Sequence, residues 1–182
     1  MMKKILCLVL CMLLVFSFAA CGKKSTNSNR HDVDVEYFAK QGKISDLDYR
    51  LGDDVDKTKE VLSKTPDDHG ASNYFDYTSG DYTIMTDGMV SCCYKTDEKD
   101  AGITHIVKHD AAYGFEVGAM STQVRDAMSS MGFDAVEREA KNGELFFLPM
   151  GANTTVLEYT IKDCNVIFVF AEHSLSAVVI SK

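Results

Sequence analysis

The spacing of apolar residues changes several times along this chain of 182 residues. Residues 5–20 form an apolar run. From about residue 49 the spacing is helical for about three turns, and it then alternates as in β-strands. The same succession begins again near residue 115. The pattern therefore predicts an apolar N-terminal segment followed by two stretches, each of a helix and then strands.

The two stretches also resemble each other in sequence. Tyr49–Leu62 aligns with Phe115–Met128, 66 residues further along the chain, and a glycine precedes each predicted helix. Asp53, Asp54 and Asp56 at the first helix start can cap free N–H groups and suit the helix dipole. Ser121 is the predicted N-cap of the second helix, and Gly132 its end.

Four strands are predicted after each helix, separated by turn residues. The first set covers residues 73–78, 81–86, 89–96 and 103–109, and the second covers 144–148, 155–161, 165–170 and 175–181. The predicted fold class is α+β, with two similar units over residues 35–110 and 111–182. Each unit would pack one helix on a small antiparallel β-sheet. Coincidence between two common α+β segments is the alternative.

Two of these strands do not alternate. Residues 165–170 and 177–180 are apolar almost throughout, whereas a strand with one solvated face alternates. Both faces of these strands should therefore be covered. Either the two sheets pack on each other, or an apolar face awaits a partner.

The N-terminus carries a targeting pattern. Met1-Met2-Lys3-Lys4 precedes the apolar run, whose 16 residues are fewer than the ~20 that span a bilayer. Phe18-Ala19-Ala20-Cys21 resembles the lipobox of bacterial lipoproteins, with Phe18 in place of the usual leucine. The resemblance implies that residues 1–20 are a signal peptide and that Cys21 carries the lipid. An ordinary secretory signal or an uncleaved anchor is the alternative.

The lipobox implies an extracytoplasmic protein that a lipid anchors to the cell membrane. Residues 21–34 are polar for most of their length and are predicted to form a flexible tether. Removal of residues 1–20 takes two lysines and leaves 17 basic against 27 acidic side chains, a net charge of −10. This balance argues against a nucleic-acid partner, which requires clustered Lys and Arg.

Three cysteines remain beyond Cys21. Cys92 and Cys93 point to opposite faces of a strand, so a bond between them would be strained. Cys164 could pair with either one. We expect buried thiols, because the CxxC spacing of a redox pair or a soft-metal site is absent.

Several residues of the chain could in principle contribute to a catalytic or metal site. His105 and His109 would lie about 13 Å apart on a strand, too far for one metal ion. His173-Ser174 is interpreted as a hairpin turn rather than as part of a catalytic triad. Glu137, Glu139 and Glu144 could supply paired carboxylates, but no aromatic sugar platform accompanies them and the chain has no Trp. No catalytic residue, metal site or cofactor is therefore predicted.

Aromatic residues supply the candidate binding surface, because aromatic rings are favoured at interfaces and tyrosine adds a hydroxyl to its apolar area. The candidates are Tyr74, Tyr77, Tyr82, Tyr94 and Phe146. The alternative is that the tyrosines are ordinary half-buried strand residues.

Residues 117–124, Val-Gly-Ala-Met-Ser-Thr-Gln-Val, resemble the Gly-Met-Ser/Thr-x-x-Gln/Glu-Val helix start of the beta-lactamase-inhibitor-like and SmpA/OmlA-like domains. Here Ala119 separates Gly118 from Met120, and the first stretch keeps only Leu51-Gly52. The resemblance implies a tandem fold with a concave sheet that binds proteins. It transfers no inhibitor activity, because no specificity residue can be matched.

These observations together favour a non-enzymatic module at the outer face of the membrane. Its partner would be an envelope protein or a cell-wall component, bound through a sheet face. The alternatives are a small cell-envelope hydrolase whose site is not recognised, and a protease or beta-lactamase inhibitor.

Overall fold

The structure is a computed structural model that describes residues 31–64, 73–140 and 154–182. The strands are β1 Phe75–Ser79, β2 Tyr82–Thr86, β3 Val90–Lys95, β4 His105–Lys108, β5 Val136–Glu139, β6 Thr154–Ile161, β7 Cys164–Ala171 and β8 Ser174–Ser181. The helices are α1 His31–Ala39, α2 Val55–Ser63 and α3 Ser121–Ser130, with a 3₁₀ segment at Thr96–Ala101. The strands form one antiparallel sheet in the order β1-β2-β3-β4-β8-β7-β6-β5.

The prediction of two separate helix-on-sheet units is wrong. The four strands of each half join into one continuous sheet, because β4 pairs with β8. Ile106 lies opposite Ile180, and Val107 lies opposite Val179. Both strands are apolar on both faces, which suits the centre of a sheet and not its edge. The missing alternation in residues 177–180 therefore reflects a central strand, and the two sheets do not stack.

Most predicted strands are confirmed within a few residues of their bounds. The exception is the first strand of the second half, which is β5. The segment predicted there, residues 144–148, lies outside the described residues. Helix α1 was not predicted, and it begins within the segment 21–34 that was predicted to be a tether.

The predicted helix starts are correct in one case and wrong in the other. Asp54 is the N-cap of α2, where its Oδ1 accepts a hydrogen bond from the Lys57 N–H at 2.9 Å. For α3 the N-cap is Met120 rather than Ser121. The Gln123 side chain accepts the Met120 N–H at 2.8 Å, which is the hydrogen bond that the third helical residue supplies in a capping box.

The main core lies on one face of the sheet, beneath the helices. Its centre is Phe168, which is fully buried. The Phe168 ring makes edge contacts with Phe115, Tyr159 and Tyr113 at centroid distances of 5.4, 5.9 and 6.4 Å. The Tyr113 hydroxyl also donates a 2.6 Å hydrogen bond to the Lys43 carbonyl. This contact attaches the loop after α1 to the second half of the sheet.

The opposite face carries a second, smaller apolar cluster. Its six buried members come from strands β4, β6, β7 and β8: Val107, Val156, Ile167, Val169, Ala177 and Val179. Ala140, which follows β5, is the described apolar residue that packs beside them. The middle of the sheet is therefore apolar on both faces.

The cysteines behave as predicted. Cys92, Cys93 and Cys164 are all buried and unpaired. Cys92 belongs to the main core and lies opposite Met85 on the neighbouring strand. Cys93 lies opposite Ile84 and points to the other face of the sheet. Within the described ranges, no helix has the length and apolar character needed to cross a membrane.

Candidate functional site

The sheet divides the predicted binding surface between its two faces. Tyr77 lies opposite Ile84 on β2, and Tyr82 lies on the same face two residues before Ile84. Tyr74 and Tyr94 pack against the main core, on the other side. Phe146 lies outside the described residues. The structure thus brings Tyr77 and Tyr82 together and separates them from Tyr74 and Tyr94.

An additional aromatic residue completes the surface around Tyr77. The Phe75 side chain is 53% exposed, and its ring stacks on Tyr77 with a centroid distance of 6.0 Å and an interplanar angle of 20°. Phe75 was not predicted, because it lacks the hydroxyl group for which the tyrosines were chosen. Its position two residues before Tyr77, on the same face of a strand, was the available signal.

Strand β1 is an edge of the sheet. Among the described strands it pairs only with β2, and four of its five residues are exposed. An edge strand can act as a template for a further strand. Phe75, Tyr77 and the outer side of β1 lie together at this edge of the described sheet, which we call the β1 edge.

The single charged side chain of β1 is held on the opposite face. Lys59 Nζ on α2 lies 2.8 Å from Asp76 Oδ2, and the Tyr74 hydroxyl donates to the same oxygen at 2.9 Å. Lys59 Nζ also lies 5.5 Å from the centre of the Tyr74 ring. The hydrogen bond from Lys59 is the main reason why the pKa of Asp76 is lowered. This cluster fixes α2 to β1 and compensates the charge of Asp76.

A histidine contacts Tyr82, one of the aromatic residues on this face of the sheet. The ring of His105 on β4 meets the Tyr82 ring edge-on at 5.5 Å, and its Nδ1 lies 3.0 Å from Thr104 Oγ1. Burial lowers the pKa of His105 to about 4. The imidazole is therefore neutral near pH 7, and this part of the surface carries no cationic charge from it.

The other edge of the sheet, β5, has a different character. It presents Glu137, Arg138 and Glu139 in succession. Arg138 Nη2 lies 2.9 Å from Glu158 Oε2 on β6, and Arg125 on α3 forms an ion pair with Glu137. Charged side chains along an edge oppose pairing with another strand. The charges of Glu137 and Glu139 therefore oppose the addition of a strand at β5, and Glu144 lies outside the described residues.

Two further predictions, on the His173-Ser174 segment and on metal ligands, concern the described ranges. Glu172 and His173 form the β7–β8 turn with φ values of 50° and 70°, so the predicted hairpin turn is confirmed. No group of three or more His, Cys, Asp or Glu side chains there could hold a metal ion. Comparisons of the chain with protein families, with curated proteins and with solved structures found no match.

Proposed function

We propose that this chain is a lipid-anchored extracytoplasmic module that binds an extended segment of an envelope protein along the β1 edge. The observation that supports this proposal is the contrast between the two edges of the sheet. The β5 edge carries three consecutive charged side chains, whereas the β1 edge carries the stacked Phe75 and Tyr77 rings and one compensated carboxylate.

Strand addition explains why both the backbone and the rings of β1 would be used. An added strand gains affinity from main-chain hydrogen bonds and specificity from alternate side chains. Phe75 and Tyr77 are two residues apart, so they would meet alternate side chains of the incoming segment. Apolar or aromatic residues at those positions of the partner suit this surface.

The anchor supports an envelope partner. The 16-residue apolar run that precedes Cys21 favours export and lipidation of this cysteine. Mass spectrometry of the N-terminal peptide from native material tests this step. We expect a peptide that begins at Cys21 with added acyl mass. A peptide that begins at Met1, or an unmodified Cys21, would contradict the anchor.

The binding proposal is tested with variants at the two edges. A protein captured from the native envelope by the parent chain would be purified and its affinity for each variant measured. We expect the double variant Phe75→Ser, Tyr77→Ser to bind at least tenfold more weakly, because it loses both rings. Val136→Ser on β5 is the matched control, since Val136 is 60% exposed on the opposite edge.

Hydrogen exchange distinguishes strand addition from contact through side chains alone. Binding should slow amide exchange along β1, because outward N–H groups acquire acceptors. Equal affinity of the parent and the double variant, or unchanged exchange along β1 in the complex, would refute this mode of binding.

A further inference from the structure

A polar cavity of about 380 Å³ lies away from the β1 edge. Its walls come from the residues after α1, the residues before α2, the β6–β7 turn and Lys182 after β8. This volume falls within the range of small-molecule sites. Four separate parts of the chain thus meet around one opening.

The cavity gathers cationic side chains in a protein whose net charge is negative. Lys40, Arg50, Lys162 and Lys182 line it, against the carboxylates of Asp53 and Asp163. These six residues leave an excess of positive side-chain charge, although the whole chain has a formal net charge of −8. A cleft lined by side chains of one charge attracts ligands of the opposite charge and raises their local concentration.

Two of the four cations are already engaged. Lys40 forms an ion pair with Glu36, and Arg50 Nε lies 3.4 Å from Asp53 Oδ1. Lys162 and Lys182 form no ion pair with any residue of the described ranges. Their charges are therefore available to a ligand.

The two available ammonium groups lie close to the cavity wall. Lys182 Nζ is 3.7 Å from the position that a Cβ on Gly52 would occupy, so this lysine lies over the Gly52 backbone. Both Lys182 and Lys162 act on the Cys164 thiol at the base of the β6–β7 turn. Burial is the main cause that raises the pKa of Cys164; the two lysines oppose this shift and the Asp163 carboxylate adds to it. Lys162, Lys182 and Cys164 all line the same cavity.

We propose that this cavity binds a phosphate group, with Lys162 and Lys182 as the two cationic ligands. A phosphate monoester carries nearly two negative charges at neutral pH, which matches two ammonium groups, and the phosphodiester of a lipid headgroup carries one. Lysine binds phosphate as a point charge and needs no fixed bidentate geometry.

The phosphate can come from solution or from an anionic lipid headgroup. Helix α1 begins ten residues after Cys21, a distance of at most ~35 Å along an extended chain, and Lys40 directly follows α1. A lipidated Cys21 would therefore keep the cavity within reach of the bilayer surface. The lipid source rests on the proposed anchor, whereas phosphate binding itself does not.

The first experiment titrates the full chain, purified in a neutral detergent, with inorganic phosphate and with glycerol 3-phosphate, followed by NMR. We expect saturable shifts at residues 162–164 and 182. The double variant Lys162→Gln, Lys182→Gln should bind at least tenfold more weakly. The double variant Lys57→Gln, Lys64→Gln removes the same charge from exposed positions on or next to α2 and should bind within twofold of the parent.

The second experiment uses Cys164 as a reporter, at constant ionic strength set with chloride. The rate of Cys164 alkylation is measured with phosphate, with vesicles of phosphatidylglycerol and with vesicles of phosphatidylcholine. Slower alkylation with phosphate alone assigns the site to a soluble ligand. Slower alkylation with phosphatidylglycerol but not phosphatidylcholine assigns it to a lipid headgroup.

Two results would overturn the proposal. One is that neither phosphate nor phosphatidylglycerol slows alkylation relative to chloride. The other is that the cavity variant and the α2 control variant lose affinity equally, which would indicate a response to total charge. Because the side chains of Lys162 and Lys182 are exposed, both variants should fold, and thermal unfolding of each verifies this. Neither outcome bears on the Phe75 and Tyr77 test.

Discussion

The two halves of the sheet differ in strand length and in side-chain chemistry. Strands β1 to β4 contain four to six residues and carry tyrosine, histidine, threonine and serine as well as apolar residues. Strands β6 to β8 contain eight residues each, and most of these residues are buried. The second half therefore supplies most of the long-range packing, and the first half carries the accessible edge. Recognition surfaces are commonly placed on the less stable parts of a fold.

The largest expected effect is a core deletion in the second half. Phe168→Ala should lower the free energy of unfolding by about 3–5 kcal/mol, because it leaves a cavity among three aromatic neighbours. Tyr77→Ala, on the half-buried face of an edge strand, should cost much less. Urea unfolding of both variants measures the difference. A larger loss for Tyr77→Ala would reverse the comparison between the halves.

The next largest effect is a loss of stability as the pH falls. The pKa of His105 is about 4 in the folded chain and about 6.5 when unfolded, so the unfolded state binds the proton first as pH falls. Stability should therefore be fully present above pH 6.5 and decline as the pH falls towards 4, by on the order of 2–3 kcal/mol. His105→Gln should flatten this decline, measured by urea unfolding between pH 7.5 and 5.

His109 adds a smaller decline of the same sign, because burial also lowers its pKa. The lowered pKa of Asp76 acts on stability only below the ordinary carboxylate range, outside this window. An unchanged pH profile in the His105→Gln variant would show that the imidazole is not the source of acid sensitivity in the first half.

The smallest effect is at the β5 edge. Glu158→Gln removes the partner of Arg138, and both side chains are about one-quarter exposed. Exposed and half-exposed ion pairs contribute little, so the expected loss is about 0.5–1 kcal/mol, reduced further by added salt. Thermal unfolding at two salt concentrations checks this. A loss above that of Phe168→Ala would show that the charged edge, and not the apolar core, holds the second half together.

Sequence patterns predicted the strands better than their assembly. Alternation and turn residues located seven of the eight strands, because these signals are local. The pairing of β4 with β8 joins residues far apart in sequence, such as Ile106 and Ile180, and no local signal specifies it. Strand β5 was missed because Val136–Glu139 is mostly charged, as suits an edge, and so shows no apolar alternation.

The division of the candidate surface between two faces was not predicted. Tyr77 and Tyr82 lie on one face and Tyr74 and Tyr94 on the other, which depends on the register of strands β1 to β3. A shift of one residue would exchange the faces. The phosphate cavity could not be predicted at all, because Arg50, Lys162 and Lys182 come together only when the sheet has formed.

The three unpaired thiols have a consequence for how this chain reaches its folded state. Because Cys92, Cys93 and Cys164 are all unpaired, none of these residues requires an electron acceptor during folding. The described domain can therefore fold without a disulfide catalyst, and its thermal unfolding should be the same with and without dithiothreitol. Such a protein would keep its shape equally in oxygenated and in strictly anaerobic surroundings.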